Sequence, residues 1–250
     1  EMFLRRRISR AAAAPLPTGA SLRPFVRHLG SLGHGDEMGL DLDVEFGRGL
    51  NEAFSRKADA LFRDAAVALD LGCGSGRDAA FLGQWLRGWR VLAVDNHKGA
   101  LDRSRRLGEL VLGKGEGMLE VVDVDLRKAD APAALKAAIG GSGEAALVHG
   151  CRFLCADLLD ELTGHGQGDC FLGVGGIFVW STFADGEEKE GGPLAPPFKK
   201  SRRLRKGELR ERFTQCGGGI GYEVVLDEEG TLVTRGEAVP ANFFAAVRIF

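Results

Sequence analysis

Three glycines spaced two apart, Gly72, Gly74 and Gly76, stand directly behind the apolar run Val67-Ala-Leu-Asp-Leu71. They lie directly ahead of Asp78 to Arg87, where Ala79, Leu82 and Leu86 share one helical face. Glycines at a strand-to-helix junction permit a tight turn and let a ligand approach the backbone. About 20 residues further on, Asp95 closes a second apolar run, Val91-Leu-Ala-Val94. A carboxylate there can accept both hydroxyls of a ribose. A dinucleotide fingerprint would place its third glycine at position 77, which is Arg77, so the turn is a poor match for a pyrophosphate. The pattern asks for a ribose-bearing ligand without phosphates. Asp70 offers a carboxylate to an amino group of that ligand, and the helix N-terminus beyond Gly76 suits a carboxylate.

A second group of residues faces the same end of the expected sheet. Ligands of open α/β sheets sit at the carboxyl ends of the strands, which points to His149, Gly150, Cys151 and Arg152 after the run Ala145 to Val148. Arg152 either grips an oxyanion or carboxylate or pairs with a local acid such as Asp157. His149 either serves as a base near neutral pH or caps the strand end. Thr182 and Phe183, at the end of a fifth strand, are placed to line the pocket of a second substrate. Cys73 fits a small packing residue better than a nucleophile, and His97 either flanks a ligand base or is a solvated loop residue. Trp85, Trp89 and Trp180 read as core or rim aromatics. No pair among Cys73, Cys151, Cys155, Cys170 and Cys216 has metal-binding spacing, so the expectation is free thiols and no metal.

These residues need a frame. Strands at Val67–Leu71, Val91–Val94, Val121–Val124, Ala145–Val148 and Gly176–Phe183 alternate with helical stretches at Asp78–Arg87, Ala100–Leu112, Ala133–Ile139, Phe153–Leu162 and Lys206–Cys216. Strand, helix, strand implies parallel pairing with right-handed crossovers. Tyr222–Leu226 and Phe243–Phe250 follow with no helix between them and are therefore antiparallel. The predicted class is α/β: a Rossmann-like three-layer α/β/α sandwich on a mostly parallel seven-stranded sheet with an antiparallel last strand. Domain bounds are 1–35 for a separate arm, 36–64 for an N-terminal helical cap and 65–250 for the Rossmann-like domain.

The 250 residues, 44% hydrophobic, suffice for one such domain. No apolar stretch reaches the roughly 20 residues of a membrane helix. Between Met2 and Gly35 there is no acid, while Arg5, Arg6, Arg7, Arg10, Arg23 and Arg27 are set among alanines and leucines. That is the composition of a mitochondrial or plastid transit peptide, with a disordered basic arm of a cytoplasmic protein as the alternative. Residues 36–250 hold 27 basic and 34 acidic side chains, a net charge of about −7. That sign disfavours nucleic acid, although Lys199, Lys200, Arg202, Arg203, Arg205 and Lys206 form one basic run. Nothing bears on oligomeric state.

The segment Ala68-Leu-Asp-Leu-Gly-Cys-Gly-Ser-Gly-Arg-Asp-Ala79 resembles the first motif of class I S-adenosylmethionine-dependent methyltransferases. The resemblance implies a cofactor site of Asp70, Gly72, Cys73, Gly74, Gly76, Asp95 and Asn96, with Asp125 and Leu126 at the adenine and Asp123 as rival for that place. The run Gly76-Arg-Asp-Ala-Ala-Phe-Leu82, with Gly88–Asp95, Cys151–Leu154 and Gly175–Phe183, looks like the tellurite-resistance-type and rhodanese-associated methyltransferases. His149-Gly-Cys151 departs from the small apolar residues expected before Arg152. The implied activity is methyl transfer from S-adenosylmethionine to a small-molecule thiol, oxyanion, hydroxyl or carboxylate. A protein or RNA methyltransferase, or a non-catalytic cofactor-binding accessory protein, is the alternative.

Overall fold

The computed structural model describes residues 66–86, 88–113, 119–166, 170–185, 203–234 and 237–250. The expected arm 1–35, the helical cap 36–64 and Lys199, Lys200 and Arg202 of the basic run lie outside the described residues.

Five strands alternate with helices as the hydrophobic pattern requires: β1 Val67–Leu71, α1 Arg77–Trp85, β2 Arg90–Asp95, α2 Lys98–Leu112, β3 Leu119–Asp123, α3 Ala131–Ile139, β4 Ala145–Cys151, α4 Ala156–Leu162 and β5 Leu172–Phe183. Helix α5, Glu208–Thr214, precedes β6, Tyr222–Thr234, and β7, Glu237–Arg248. All seven strands form one sheet in the order β3-β2-β1-β4-β5-β7-β6. β1 to β5 are parallel neighbours. β7 runs against both β5 and β6, so among the described strands it is the only reversed one. This is the predicted Rossmann-like sheet.

Every residue of β1 is buried. A parallel strand covered by helices on both faces must read as a continuous apolar run, and Asp70 is its one exception. The strand order reverses between β1 and β4, and open α/β sheets hold ligands at the carboxyl ends beside such a switch point. The register there sets Asp70 against His149 and Leu71 against Gly150.

Close approach fixes several small residues. Buried positions of α2 fall on Ala100, Leu101, Ser104 and Gly108; small side chains four apart leave a shallow face on which the glycine turn rests. Gly76 has φ 76°, and a Cβ there would stand 2.5 Å from Ser104 Oγ. On the other side of the sheet, Arg90 grips Glu120 with two hydrogen bonds of 2.9 Å and donates a third, also 2.9 Å, to the Ile139 carbonyl. One guanidinium thereby ties β2, β3 and the end of α3.

Three boundaries differ from expectation, each for a local reason. β5 begins at Leu172 rather than Gly176, because its register slips between Ala145 and Leu147 and a bulge takes up the glycine-rich stretch. α4 begins at Ala156 rather than Phe153, since Cys155 takes extended N-cap dihedrals. β6 and β7 reach Thr234 and Glu237, far beyond the apolar segments that announced them. Their polar residues are held by ladder pairing, and cations around α5 meet the acids of β6: Arg210 lies 2.6 Å from Asp227 and Lys206 3.0 Å from Glu229.

Among the described glycines of the strands Gly150 is the most closely approached, since a Cβ there would stand 2.3 Å from the Trp180 ring. Gly150→Ala is expected to cost about 1–3 kcal/mol of stability as overpacking, measured by urea unfolding. A loss below about 0.5 kcal/mol, the range of an indifferent surface site, would contradict that packing.

Candidate functional site

The glycine turn is built by strands β1 and β2 together. Both the Gly72 and Cys73 N–H groups donate to the Val94 carbonyl, at 2.9 and 3.0 Å, so the chain leaving β1 folds over the end of β2. Asp95 then closes the turn: its Oδ2 accepts the Gly74 N–H at 3.0 Å and its Oδ1 accepts the His97 N–H at 2.9 Å. Each oxygen keeps acceptor capacity beyond one backbone bond, so the carboxylate both organises the turn and can take hydroxyl donors. Gly74 faces open space, since the nearest atom to a built Cβ is 4.0 Å away. Gly72 lies under the Phe153 ring, 2.9 Å from such a Cβ.

Cys73 sits inside the turn with its Sγ 3.5 Å from Ser104 Oγ. Burial, then the Asp70 charge, push its thiol up to about 12, so it packs as a neutral group. Asn96 is exposed beside Asp95. His97 is the N-cap of α2 rather than a free loop side chain, its Nδ1 accepting the Ala100 N–H at 3.2 Å. Beyond β3, Asp125 accepts the Arg127 N–H at 3.2 Å. Leu126 is buried in the core, and its carbonyl accepts the Cys155 thiol at 3.2 Å. Asp123, the rival of Asp125, is exposed and pairs in register with Asp95.

The most polar point of the interior joins two residues 79 apart in sequence. His149 Nδ1 lies 2.8 Å from Asp70 Oδ1, with both side chains at most 2% exposed. Asp78, in the first turn of α1, completes a group whose oxygen and nitrogen atoms lie within 4.8 Å of one another. His149 is therefore a buried partner of Asp70 rather than a cap of the strand end. Burial pulls its imidazole down, but the Asp70 hydrogen bond and the charges of Asp70 and Asp78 outweigh that and leave it above its ordinary value. Burial raises the Asp78 carboxyl, against the charges of His149, Arg77 and Arg152. Asp70 Oδ2 is buried with no hydrogen-bond partner among the described residues.

Arg152 follows β4 with φ 55°, and is the one non-glycine residue in the left-handed region among those described. Such a conformation costs about 1–3 kcal/mol and persists where the surroundings impose it; here the Arg152 N–H donates to the Ser181 carbonyl at 2.7 Å. Burial lowers its guanidinium, and Cys151, Arg77 and Asp78 are the groups acting on it. Cys151 is held well above the usual thiol range by burial. Thr182 and Phe183 are both 1% exposed at the end of β5.

Sequence spacing misses Asp78, Ser104, Phe153 and Asn242. Asp78 and Ser104 carry a readable signal, an acid and a serine on otherwise apolar helical faces; Phe153 and Asn242 carry none. Of the basic run, Arg205 pairs with Glu211 at 3.1 Å and Lys206 with Glu229 at 3.0 Å, so these cations face acids of the same chain. Among the described residues no helix is long and apolar enough to cross a membrane.

No protein-family model and no curated protein sequence matches the chain. In three dimensions it is similar to magnesium protoporphyrin IX methyltransferase (ChlM) from Synechocystis PCC 6803 with bound SAH, at 17% identity and a TM-score of 0.51 over 88% of this chain and 91% of that one. It is also similar to precorrin-6y C5,15-methyltransferase from Geobacter metallireducens GS-15, at 13% identity and a TM-score of 0.50 over 86% and 93%. The cyclase SpnF is similar at 10% identity and a TM-score of 0.52 over 91% and 93%. At these identities the likeness is one of fold, and that fold carries both methyltransferases and a cyclase.

The buried pair sets a pH dependence. His149 is raised in the folded chain, so its contribution is complete below the ordinary imidazole value near 6.5 and is lost as pH rises through the folded value. Asp78, also raised, acts in the same direction from near 3.8 upward. Stability measured by urea unfolding is expected to fall as pH rises above about 6.5, with a smaller slope in Asp70→Asn. A slope unchanged by Asp70→Asn would deny the coupling.

Proposed function

We propose that the chain is an S-adenosylmethionine-dependent methyltransferase acting on a small organic molecule that gives up a proton as it is methylated. The observation that carries this reading is the junction of two devices at the β1–β4 switch point: a glycine turn closed by Asp95, and beside it the buried Asp70–His149 pair. The residues fit the cofactor. Gly74 leaves room over the turn, Asp95 retains acceptor capacity for ribose hydroxyls, and the buried Asp70 Oδ2 lacks a partner that the amino group of a methionine would supply. Two of the fold neighbours are methyltransferases, one of them with bound SAH.

When bound, the cofactor supplies an electrophilic methyl on a sulfonium whose leaving group is a neutral thioether. The protein's tasks are then positioning and exclusion of water, with reacting atoms about 3 Å apart. Gly72, Gly74 and Gly76 would hold the cofactor's amino-acid end, and Asp95 would accept from its ribose hydroxyls. An acceptor that must lose a proton on methylation would pass it to His149, whose ring is oriented by Asp70 through Nδ1. An imidazole held above its ordinary value is a stronger base once neutral, so turnover should rise with pH across that range. The further resemblance to tellurite-resistance-type and rhodanese-associated enzymes enters this reading only as a motif likeness.

An RNA or protein substrate gathers less support, because Arg205 and Lys206 are matched by acids. A cyclase or accessory role on the same fold would share the cofactor cleft without methyl turnover.

Calorimetric titration with S-adenosylmethionine, S-adenosylhomocysteine and NADH tests the reading. Micromolar binding of the two adenosyl ligands and none of NADH is expected, and Asp95→Ala should weaken it at least tenfold, roughly the loss of one buried charged hydrogen-bond partner. Failure of both adenosyl ligands to bind overturns the assignment.

A further inference from the structure

Three buried polar atoms outside the cofactor turn have no hydrogen-bond partner among the described residues: Trp180 Nε1, Thr182 Oγ1 and Asn242 Oδ1. Their residues are 1%, 1% and 6% exposed. Unsatisfied buried groups of this kind are uncommon in folded proteins and cost about 1–3 kcal/mol each, so three together call for a physical reason.

They form one row. Trp180 and Thr182 are two apart on β5 and point to the same face. Thr182 and Asn242 are directly opposed across β5 and β7, and so share that face too. The amide of Asn242 is locked in orientation: its Nδ2 donates to Asp227 Oδ1 at 2.9 Å and to the Glu228 carbonyl at 3.4 Å, both of which can only accept. Asp227 is held in turn by Arg210. Oδ1 is therefore the end that awaits a donor. The row begins beside the cofactor turn, since the Trp180 ring lies against Gly150 and 6.0 Å from the ring of Phe153, which covers Gly72.

Resting on the methyltransferase reading, we infer that Trp180, Thr182 and Asn242 form the recognition edge for the acceptor, and that the acceptor is a neutral organic molecule carrying a hydrogen-bond acceptor at one end and a donor at the other. The indole N–H donates to the ligand's carbonyl-type oxygen, Asn242 Oδ1 accepts from its O–H or N–H, and the Thr182 hydroxyl serves either. The Cα atoms of Trp180 and Asn242, at the two ends of the row, stand diagonally across β5 and β7, roughly 7 Å apart. None of the three atoms carries a charge, and the carboxylate behind Asn242 is already matched by Arg210. A full charge on that edge of the ligand would be buried without a counterion, which is costly. Of the thiol, oxyanion, hydroxyl and carboxylate acceptors that the motif likeness implies, the row excludes the oxyanion and carboxylate from this edge.

The probes are 4-hydroxybenzamide, neutral with a donor and an acceptor at opposite ends, and the anionic 4-hydroxybenzoate. Each is titrated by ligand-observed NMR into the full chain with S-adenosylhomocysteine present and absent. The expected result is saturable binding of the amide, at least tenfold weaker binding of the benzoate, and at least tenfold loss for the amide in Thr182→Val. Thr182→Val should leave S-adenosylhomocysteine affinity unchanged and should not lower Tm, because in the empty protein it removes an unpaired hydroxyl. No binding of the amide, equal binding of both probes, or a Thr182→Val variant that loses several degrees of Tm while binding the amide normally would each overturn the inference. Because S-adenosylhomocysteine is titrated separately, failure of the cofactor reading shows as its absence of binding, whereas failure of the row shows in the probe arms.

Discussion

A carboxylate and an imidazole placed on adjacent central strands, with helices closed over both faces, cannot be solvated by water. Asp70 and His149 satisfy each other across 2.8 Å, and the register of β1 on β4 is what brings them opposite. A slip of one residue would reverse which face each side chain of β1 meets and leave a charge alone in an apolar layer. The polar pair therefore helps specify the parallel register that every neighbouring feature relies on. Gly150, next along β4, admits the Trp180 ring, and Arg152 is forced into a left-handed turn where β4 ends against β5.

The glycine turn depends on the same frame from the other side. Its first two N–H groups end on β2, and its third position is held by the side chain of Asp95. Asp95 thus has a structural task before any ligand arrives, so the carboxylate proposed to hold a ribose is already oriented. Preorganisation of this sort lowers the ordering cost of binding. The helix behind the turn contributes by being small rather than by being polar, since only Ser104 and its short neighbours allow Gly76 to approach.

How much of this is legible in the sequence follows from which constraints are local. β1, β2 and β4 can be read directly because strands buried on both faces must be apolar runs, and Asp70 and Asp95 stand out as carboxylates within or closing such runs. The pairing of Asp70 with His149 cannot be read, because it depends on strand order and register rather than on spacing along the chain. β6 and β7 are longer than their apolar segments because polar residues such as Asp227–Glu229 are kept extended by ladder pairing and by Arg210 and Lys206. Asn242 carries no signal at all: its meaning comes from lying opposite Thr182. His97 reads from the sequence as a solvated loop residue or a neighbour of a ligand base, and its capping of α2 emerges only with the fold.

The carboxyl edge of the sheet holds two polar systems of different character. At β1 and β4 the groups are ionisable and paired. At β5 and β7 they are neutral, and each keeps one buried polar atom without a partner among the described residues. Sheet order forces this separation, since β4 stands between β1 and β5 and its Gly150 lets the Trp180 ring reach across toward Phe153 over the glycine turn. A fold that also carries a cyclase leaves the chemistry open, because fold alone does not determine function. In this chain the ionisable groups Asp70, Asp78 and His149 cluster at the β1–β4 switch point, while the neutral groups lie along β5 and β7. The register sets His149 opposite Val179 and Gly150 opposite Trp180, so the ionisable pair and the neutral row lie on opposite faces of the sheet, and one ligand could meet both only where β4 and β5 end.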